Sequence, residues 1–241
     1  MNQIITTIRY RFYFCKQGDL RWIGHRDLIR TFERICRMIE LPLCMSQGFH
    51  PKPKIRFGSA LALGLEGLDE WVEIELNDPL DRETILRQLQ DASPSGLKFT
   101  RVEIAQKKMP TLEFARYEIK LPVNRLSEVK AAVDQLWQTT SFQVKRSGRN
   151  KPVDVRLGLK EIAVEDGTLQ FTCTADRRGA IRPREVLLAL QADDLESHGA
   201  ILRRVELIFA ESEEALSHAD QPATPPELSV GTPDLDPHIL E

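Results

Sequence analysis

The chain has 241 residues and a net charge of −3, and it contains no apolar run approaching the roughly 18 residues of a membrane span. Its first residues lack the charged, apolar, small-residue order of a signal peptide, so the expectation is a cytoplasmic protein without membrane contact. The length holds one large domain or two of about 100 residues. The four cysteines, Cys15, Cys36, Cys44 and Cys173, form no Cys-x-x-Cys pair, which excludes a zinc knuckle or a three-cysteine iron–sulfur motif. They read as reduced, mostly buried thiols in a chain that carries no metal or cofactor of its own.

The net charge hides an asymmetry. Residues 211–241 hold eight acidic residues and no Lys or Arg, leaving 33 basic against 28 acidic residues in the remainder. Residues 1–60 alone hold eleven Lys and Arg against four Asp and Glu. Partner attraction follows local charge, so the N-terminal quarter points to an anionic partner.

In chain order, the alternation of aromatics with Arg over Arg9–Cys15 predicts a strand, with Lys16-Gln17-Gly18-Asp19 as its exit. Leu28, Phe32, Ile35 and Ile39, with Ile29 and Cys36 beside them, recur at helical spacing and predict a helix with that face inward. At about 100° per residue, Arg26, Arg30, Arg34 and Arg37 fall in one opposite sector, interrupted by Glu33. A Pro/Gly loop leads to strands at Lys54–Phe57 and Glu70–Leu76. Asp78 then serves as a helix cap with Pro79 at the first position and Asp81 near the dipole, and Ile85, Leu86 and Leu89 form the apolar face. A strand over Leu97–Ala105 closes a β-α-β-β-α-β order.

The second half repeats the order, though not the residues. A strand over Ala115–Leu121 and a helix from Asn124 precede strands at Phe142–Lys145, Val153–Ile162 and Leu169–Thr174, one more than the first half has. Asp166-Gly167 marks a hairpin turn. A short helix opening at Pro183 and a strand over Ile201–Phe209 complete the unit. The fold expected is therefore α+β: two tandem ferredoxin-like domains with antiparallel sheets, residues 1–108 and 109–210. The Pro-rich acidic segment 211–241 reads as a disordered tail.

Most of the chemistry-bearing side chains lie between Gly24 and Gly64. The tetrapeptide His25-Arg26-Asp27-Leu28 matches the opening of a kinase catalytic loop, but the following Asn and an upstream Gly-rich loop are missing, which excludes that reading. His25 and His50 flank the arginine helix in sequence, as general acid and base of a metal-independent ribonuclease would, or as a helix-start packer and a loop anchor. In Ser46-Gln47-Gly48-Phe49-His50-Pro51-Lys52-Pro53-Lys54, Gly48 permits a tight backbone, and Pro51 and Pro53 stiffen the exit from the loop. Phe49 and His50 then stand as flat rings beside Lys52 and Lys54, with Arg56 in the next strand, an arrangement suited to stacking on unpaired bases. Phe49 is equally readable as a core plug. Two further cationic turns, Lys145–Lys151 and Arg177–Arg184, are candidate extensions of the same surface.

Taken together, GHRDL with its Arg-rich helix, LPLxxSQGFHPxPxIxF and ALALG resemble the radical SAM-linked protein family, a bacterial domain of unknown function fused to or encoded beside radical SAM proteins. The resemblance is specific over about residues 9–76, extends more loosely to about 210, and omits the tail. It implies a radical SAM enzyme as a separate partner chain, since these cysteines cannot ligate its cluster. The tandem arrangement also resembles the CRISPR repeat-processing endoribonucleases, which implies an RNA-facing surface. The function expected is an accessory RNA-binding protein presenting tRNA or rRNA to that enzyme. Arg26, Arg30, Arg34, Arg37, Phe49, His50, Lys52, Lys54 and Arg56 are its candidate RNA contacts. The alternatives are an endoribonuclease using His25 and His50, and a protein–protein adaptor without RNA contact.

Overall fold

Alternation decides the first strand. In β1 (Ile8–Lys16), Tyr10, Phe12 and Phe14 are almost wholly buried while Arg9, Arg11 and Tyr13 face the other way. The computed structural model describes residues 7–105, 110–146, 152–175 and 180–210. After β1 come α1 (His25–Met38), β2 (Ile55–Phe57), β3 (Glu66–Leu76), α2 (Arg82–Ala92) and β4 (Leu97–Ile104). The second half runs β5 (Leu112–Lys120), α3 (Leu126–Gln138), β6 (Gln143–Val144), β7 (Val153–Asp154), α4 (Val155–Gly158), β8 (Leu159–Glu165), β9 (Thr168–Thr174), α5 (Pro183–Ala189) and β10 (Leu202–Phe209).

The result is a mixed α+β protein built on one large, mostly antiparallel sheet, ordered β4-β1-β3-β10-β5-β9-β8. β2 and β10 share the second edge of β3, β2 along Val72–Ile74 and β10 in parallel at Glu66 and Gly67. The first half is thus ordered β4-β1-β3-β2 and the second β10-β5-β9-β8, the same permutation of chain order. Each half has its own core. Leu28, Phe32, Ile35, Ile85 and Leu89 of α1 and α2 pack on Tyr10, Phe12, Phe14, Val72 and Ile74. In the second half, Val129, Val133, Leu136, Val186 and Leu187 pack on Tyr117, Ile119, Leu169 and Phe171. Each of these large side chains contributes about 1.5–3 kcal/mol by leaving water.

Where the halves meet, Arg204 of β10 grips Glu70 of β3 with two hydrogen bonds of 2.7 and 2.6 Å, both residues being under 5% exposed (4% and 3%). Arg204 also donates to the Ala60 carbonyl at 3.2 Å, and Arg203 pairs with Glu66 at 3.0 Å.

β3 begins earlier than expected, at Glu66, β5 begins at Leu112, and the strand expected over Phe142–Lys145 shortens to β6, which pairs with β7 off the main sheet; two larger departures have a visible cause. α2 starts at Arg82, capped by the Asp81 carboxylate on the Thr84 amide at 2.9 Å, because the buried Tyr10 hydroxyl binds both the amide and the carbonyl of Leu80 and keeps Asp78–Leu80 out of the helix. The run expected as one strand over Val153–Ile162 is broken by α4, since the Asp154 carboxylate accepts from the amides of Arg156 and Leu157 and turns the chain. The Asp166-Gly167 turn joins β8 to β9 with positive φ at both residues (47° and 74°), as a two-residue hairpin requires. The acidic tail lies outside the described residues.

Candidate nucleic-acid interface

α1 buries Leu28, Phe32, Ile35 and Cys36, which fixes the rotation of the helix and sends its arginines outward. Arg26, Arg30, Arg34 and Arg37 are all exposed. They are not equivalent. Arg30 pairs with Asp27 at 3.2 Å and Arg37 with Glu33 at 3.4 Å, whereas Arg26 and Arg34 form no ion pair among the described residues. Exposed pairs of this kind contribute only a few tenths of a kcal/mol, so all four guanidiniums can exchange onto an incoming anion.

After α1 the chain makes a small hairpin. Cys44 donates its amide to Glu75 at 2.8 Å and accepts from Lys54 at 2.9 Å, while the Ser46 amide donates to the Lys52 carbonyl at 2.8 Å. The Ser46 hydroxyl accepts the Lys52 amide at 3.0 Å, closing the base of a tip formed by residues 47–51. Gly48 takes φ +139°, and a Cβ there would meet nothing. The tip projects Phe49 fully into solvent, at 102% relative exposure, which settles its alternative reading as a core plug. His50 and Lys52 beside it are also exposed.

Lys54 and Arg56 are placed differently. Both reach Glu75, at 3.1 and 2.8 Å, where Arg9 also binds at 3.0 Å. Burial opposes ionisation of Glu75, but the hydrogen bonds from Lys54, Arg9 and Arg56 outweigh it and hold the carboxyl below its ordinary value. The same hydrogen bond to Glu75 raises Lys54. These two cations are therefore partly spent inside the protein.

The histidines part company. His25 sets its ring edge-on to Phe57 at 5.0 Å, with Nδ1 buried and without a hydrogen-bond partner. Burial, and then the charge of Lys16, push its pKa down. His50 sits on the exposed tip, and among the described residues no hydrogen bond or ring contact joins the two.

Of the two other cationic turns, residues 147–151 and 176–179 lie outside the described residues. Arg146 is buried in a two-pronged pair with Glu185 at 2.5 and 2.6 Å, and Arg184 is held by Glu196 at 2.6 Å. Lys145 and Arg182 are exposed and form no ion pair among the described residues. Sequence reasoning missed the stacked cations on the sheet, where Arg101 lies 3.5 Å over Tyr13 and Arg11 lies 4.3 Å over Trp71. The Arg-aromatic alternation of β1 was the available signal. These contacts cover the rings that an open sheet would otherwise offer to bases.

No group of His, Cys, Asp and Glu among the described residues has the geometry of a metal site. The cysteines are free; burial pushes the Cys36 thiol up to about 12 and raises Cys173. No described helix is long and apolar enough to cross a membrane.

An α+β protein with a cationic helix and a hairpin displaying an aromatic ring is what fold and surface define. The chain belongs to a bacterial family described as "uncharacterized protein conserved in bacteria" (DUF2344), whose model matches residues 9–183. A crystal structure of an unknown protein from Galdieria sulphuraria is similar at 16% identity, over 86% of this chain and 100% of that one, with a TM-score of 0.26 that lends it no weight. No curated protein matches the chain.

Proposed function

We propose that this protein is a cytoplasmic accessory factor that binds single-stranded regions of tRNA or rRNA and positions them for a separate radical SAM enzyme. The observation that carries the RNA reading is Phe49: a large aromatic side chain, fully in water, on a pinned hairpin tip with His50 and Lys52. Leaving such a ring exposed gains nothing for the fold, and a free π-face among cations suits an unpaired base. Arg26, Arg30, Arg34 and Arg37 supply phosphate contacts along α1, with Lys54 and Arg56 in a lesser role because Glu75 already neutralises them in part. The partner enzyme rests on the GHRDL and SQGFHP resemblance. The shared strand permutation of the two halves supports their reading as tandem ferredoxin-like units. The edge-on packing of His25 against Phe57 lends nothing to an acid–base pair with His50.

The test is fluorescence anisotropy with a labelled single-stranded RNA. Stacking contributes about 1–3 kcal/mol per base, so Phe49→Ala should weaken binding by roughly 5- to 150-fold while Phe49→Trp retains it. An alanine variant that binds as tightly as the parent protein refutes the reading.

A further inference from the structure

Between residues 60–62 and the start of α5 lies a groove of about 550 Å³. Its floor is aliphatic, made by Ala60, Leu61 and Ala62 of the ALALG segment against Leu188 of α5. Its rim is cationic. Arg146 and Glu185 satisfy each other and Arg184 is held by Glu196, which leaves Lys145 and Arg182 as the lining charges without an ion pair among the described residues. Glu185, the one carboxylate among the described lining residues, is thus already committed.

The apolar surface continues past the groove. Gly64 is wedged between the Trp22 ring and the Arg184 guanidinium, so close that a Cβ would lie 2.9 Å from the one and 3.0 Å from the other. Trp22, Leu63 and Leu188 remain 58%, 53% and 44% exposed. Large apolar side chains left in water beside a groove, as Leu188, Leu63 and Trp22 are, mark contacts with other macromolecules. RNA fits it poorly. The floor offers no ring for a base, and the aromatic side chain of Trp22 is already capped by Arg21 at 5.0 Å.

We infer that this groove docks a segment of a partner protein in which aliphatic residues alternate with Asp or Glu, the aliphatic side chains lying on Leu61 and Leu188 and the carboxylates meeting Lys145 and Arg182. The inference names a docking place for the partner in the proposed function and rests on that half of it alone; the RNA half can fail without it.

The experiment places a photoreactive benzoylphenylalanine at Leu188 of the full chain in its host cell and sequences the crosslinked segment. That segment, made as a synthetic peptide, is then titrated against the purified protein and against Lys145→Glu/Arg182→Glu. The expected result is an acidic, aliphatic peptide whose affinity falls at least about tenfold on the double charge reversal, the scale of like charges opposed across an interface. A peptide with its acids changed to Lys should recover binding to the reversed variant, which a misfolded protein would not allow. Crosslinks only to RNA, to a second copy or to residues 211–241 of the same chain overturn the inference, as does the absence of any adduct or a peptide indifferent to charge reversal. RNA binding by Leu188→Ala, measured alongside its loss of peptide binding, is expected unchanged, which keeps the failure of this site distinct from failure of the RNA surface.

Discussion

The arginine stripe yields a comparison between two pairs of residues on one helix. Arg26 and Arg34 carry no ion pair among the described residues, while Arg30 and Arg37 sit against Asp27 and Glu33. A cation that neutralises a phosphate of single-stranded RNA adds about 0.7 to the slope of log K against log salt. Replacing Arg26 and Arg34 with Ala should therefore lower the slope by about 1.4, which over a rise from 50 to 200 mM salt reduces the loss of affinity by roughly sevenfold. On the proposed RNA-binding reading, Arg30 and Arg37 would meet phosphate with a carboxylate alongside, so their net neutralisation would be smaller. Their replacement should change the slope by less, yet still weaken binding, because Asp27 and Glu33 are left unopposed beside the RNA. Alanine costs nothing in helix propensity and all four side chains are exposed, so the variants should melt like the parent protein. Anisotropy titrations of a labelled single-stranded RNA across a potassium chloride series measure both slopes. Equal slope changes for the two pairs, or none for Arg26/Arg34, would refute the reasoning.

Two further outcomes concern the framework. Arg204→Met should cost about 3–5 kcal/mol in urea unfolding, because Glu70 is left buried without its partner, and adding Glu70→Leu should recover most of the loss; a single variant within about 1 kcal/mol of the parent protein would contradict this. His25 has a lowered folded pKa, so the unfolded chain binds its proton more readily. Its contribution is complete above the unfolded value near 6.5, roughly, and is lost as pH falls through the lower folded value. Thermal melts from pH 7.5 to 5 should show a decline that His25→Phe removes; an unchanged pH profile in that variant would assign the decline elsewhere.

What the sequence made legible was local. The face of α1 follows from Leu28, Phe32 and Ile35 alone, and the β8–β9 turn from Asp166-Gly167, since both depend on spacing or backbone preference within a few residues. The break at α4 was not legible, because Val153–Ile162 has the apolar content of a strand and the turn depends on which amides one carboxylate, Asp154, accepts from. The start of α2 was hidden for a different reason. Asp78-Pro79 is a sound helix opening by local rules, and it loses to a hydroxyl 70 residues away, on Tyr10, that claims both backbone groups of Leu80. Phe49 left two readings open because nothing near it in sequence fixes the Ser46–Lys52 pairing that turns it outward.

The charged residues teach the same lesson more sharply. A count of Lys and Arg treats each as available, but the fold sorts them by distant carboxylates: Arg146 by Glu185, Arg204 by Glu70, Arg9, Lys54 and Arg56 by Glu75. Among the cations singled out from the sequence, those without an ion pair among the described residues are Arg26 and Arg34 on α1, Lys52 on the hairpin, and Lys145 and Arg182 at the groove. Lys52 shares its hairpin tip with a naked aromatic ring, whereas Lys145 and Arg182 line an aliphatic floor, and on the proposed reading that difference in the apolar neighbour separates an RNA contact from a protein contact where the charges alone would have described one basic face. Salt should therefore act on the two sites alike, whereas removing Phe49 should affect only the RNA and altering Leu188 only the protein partner.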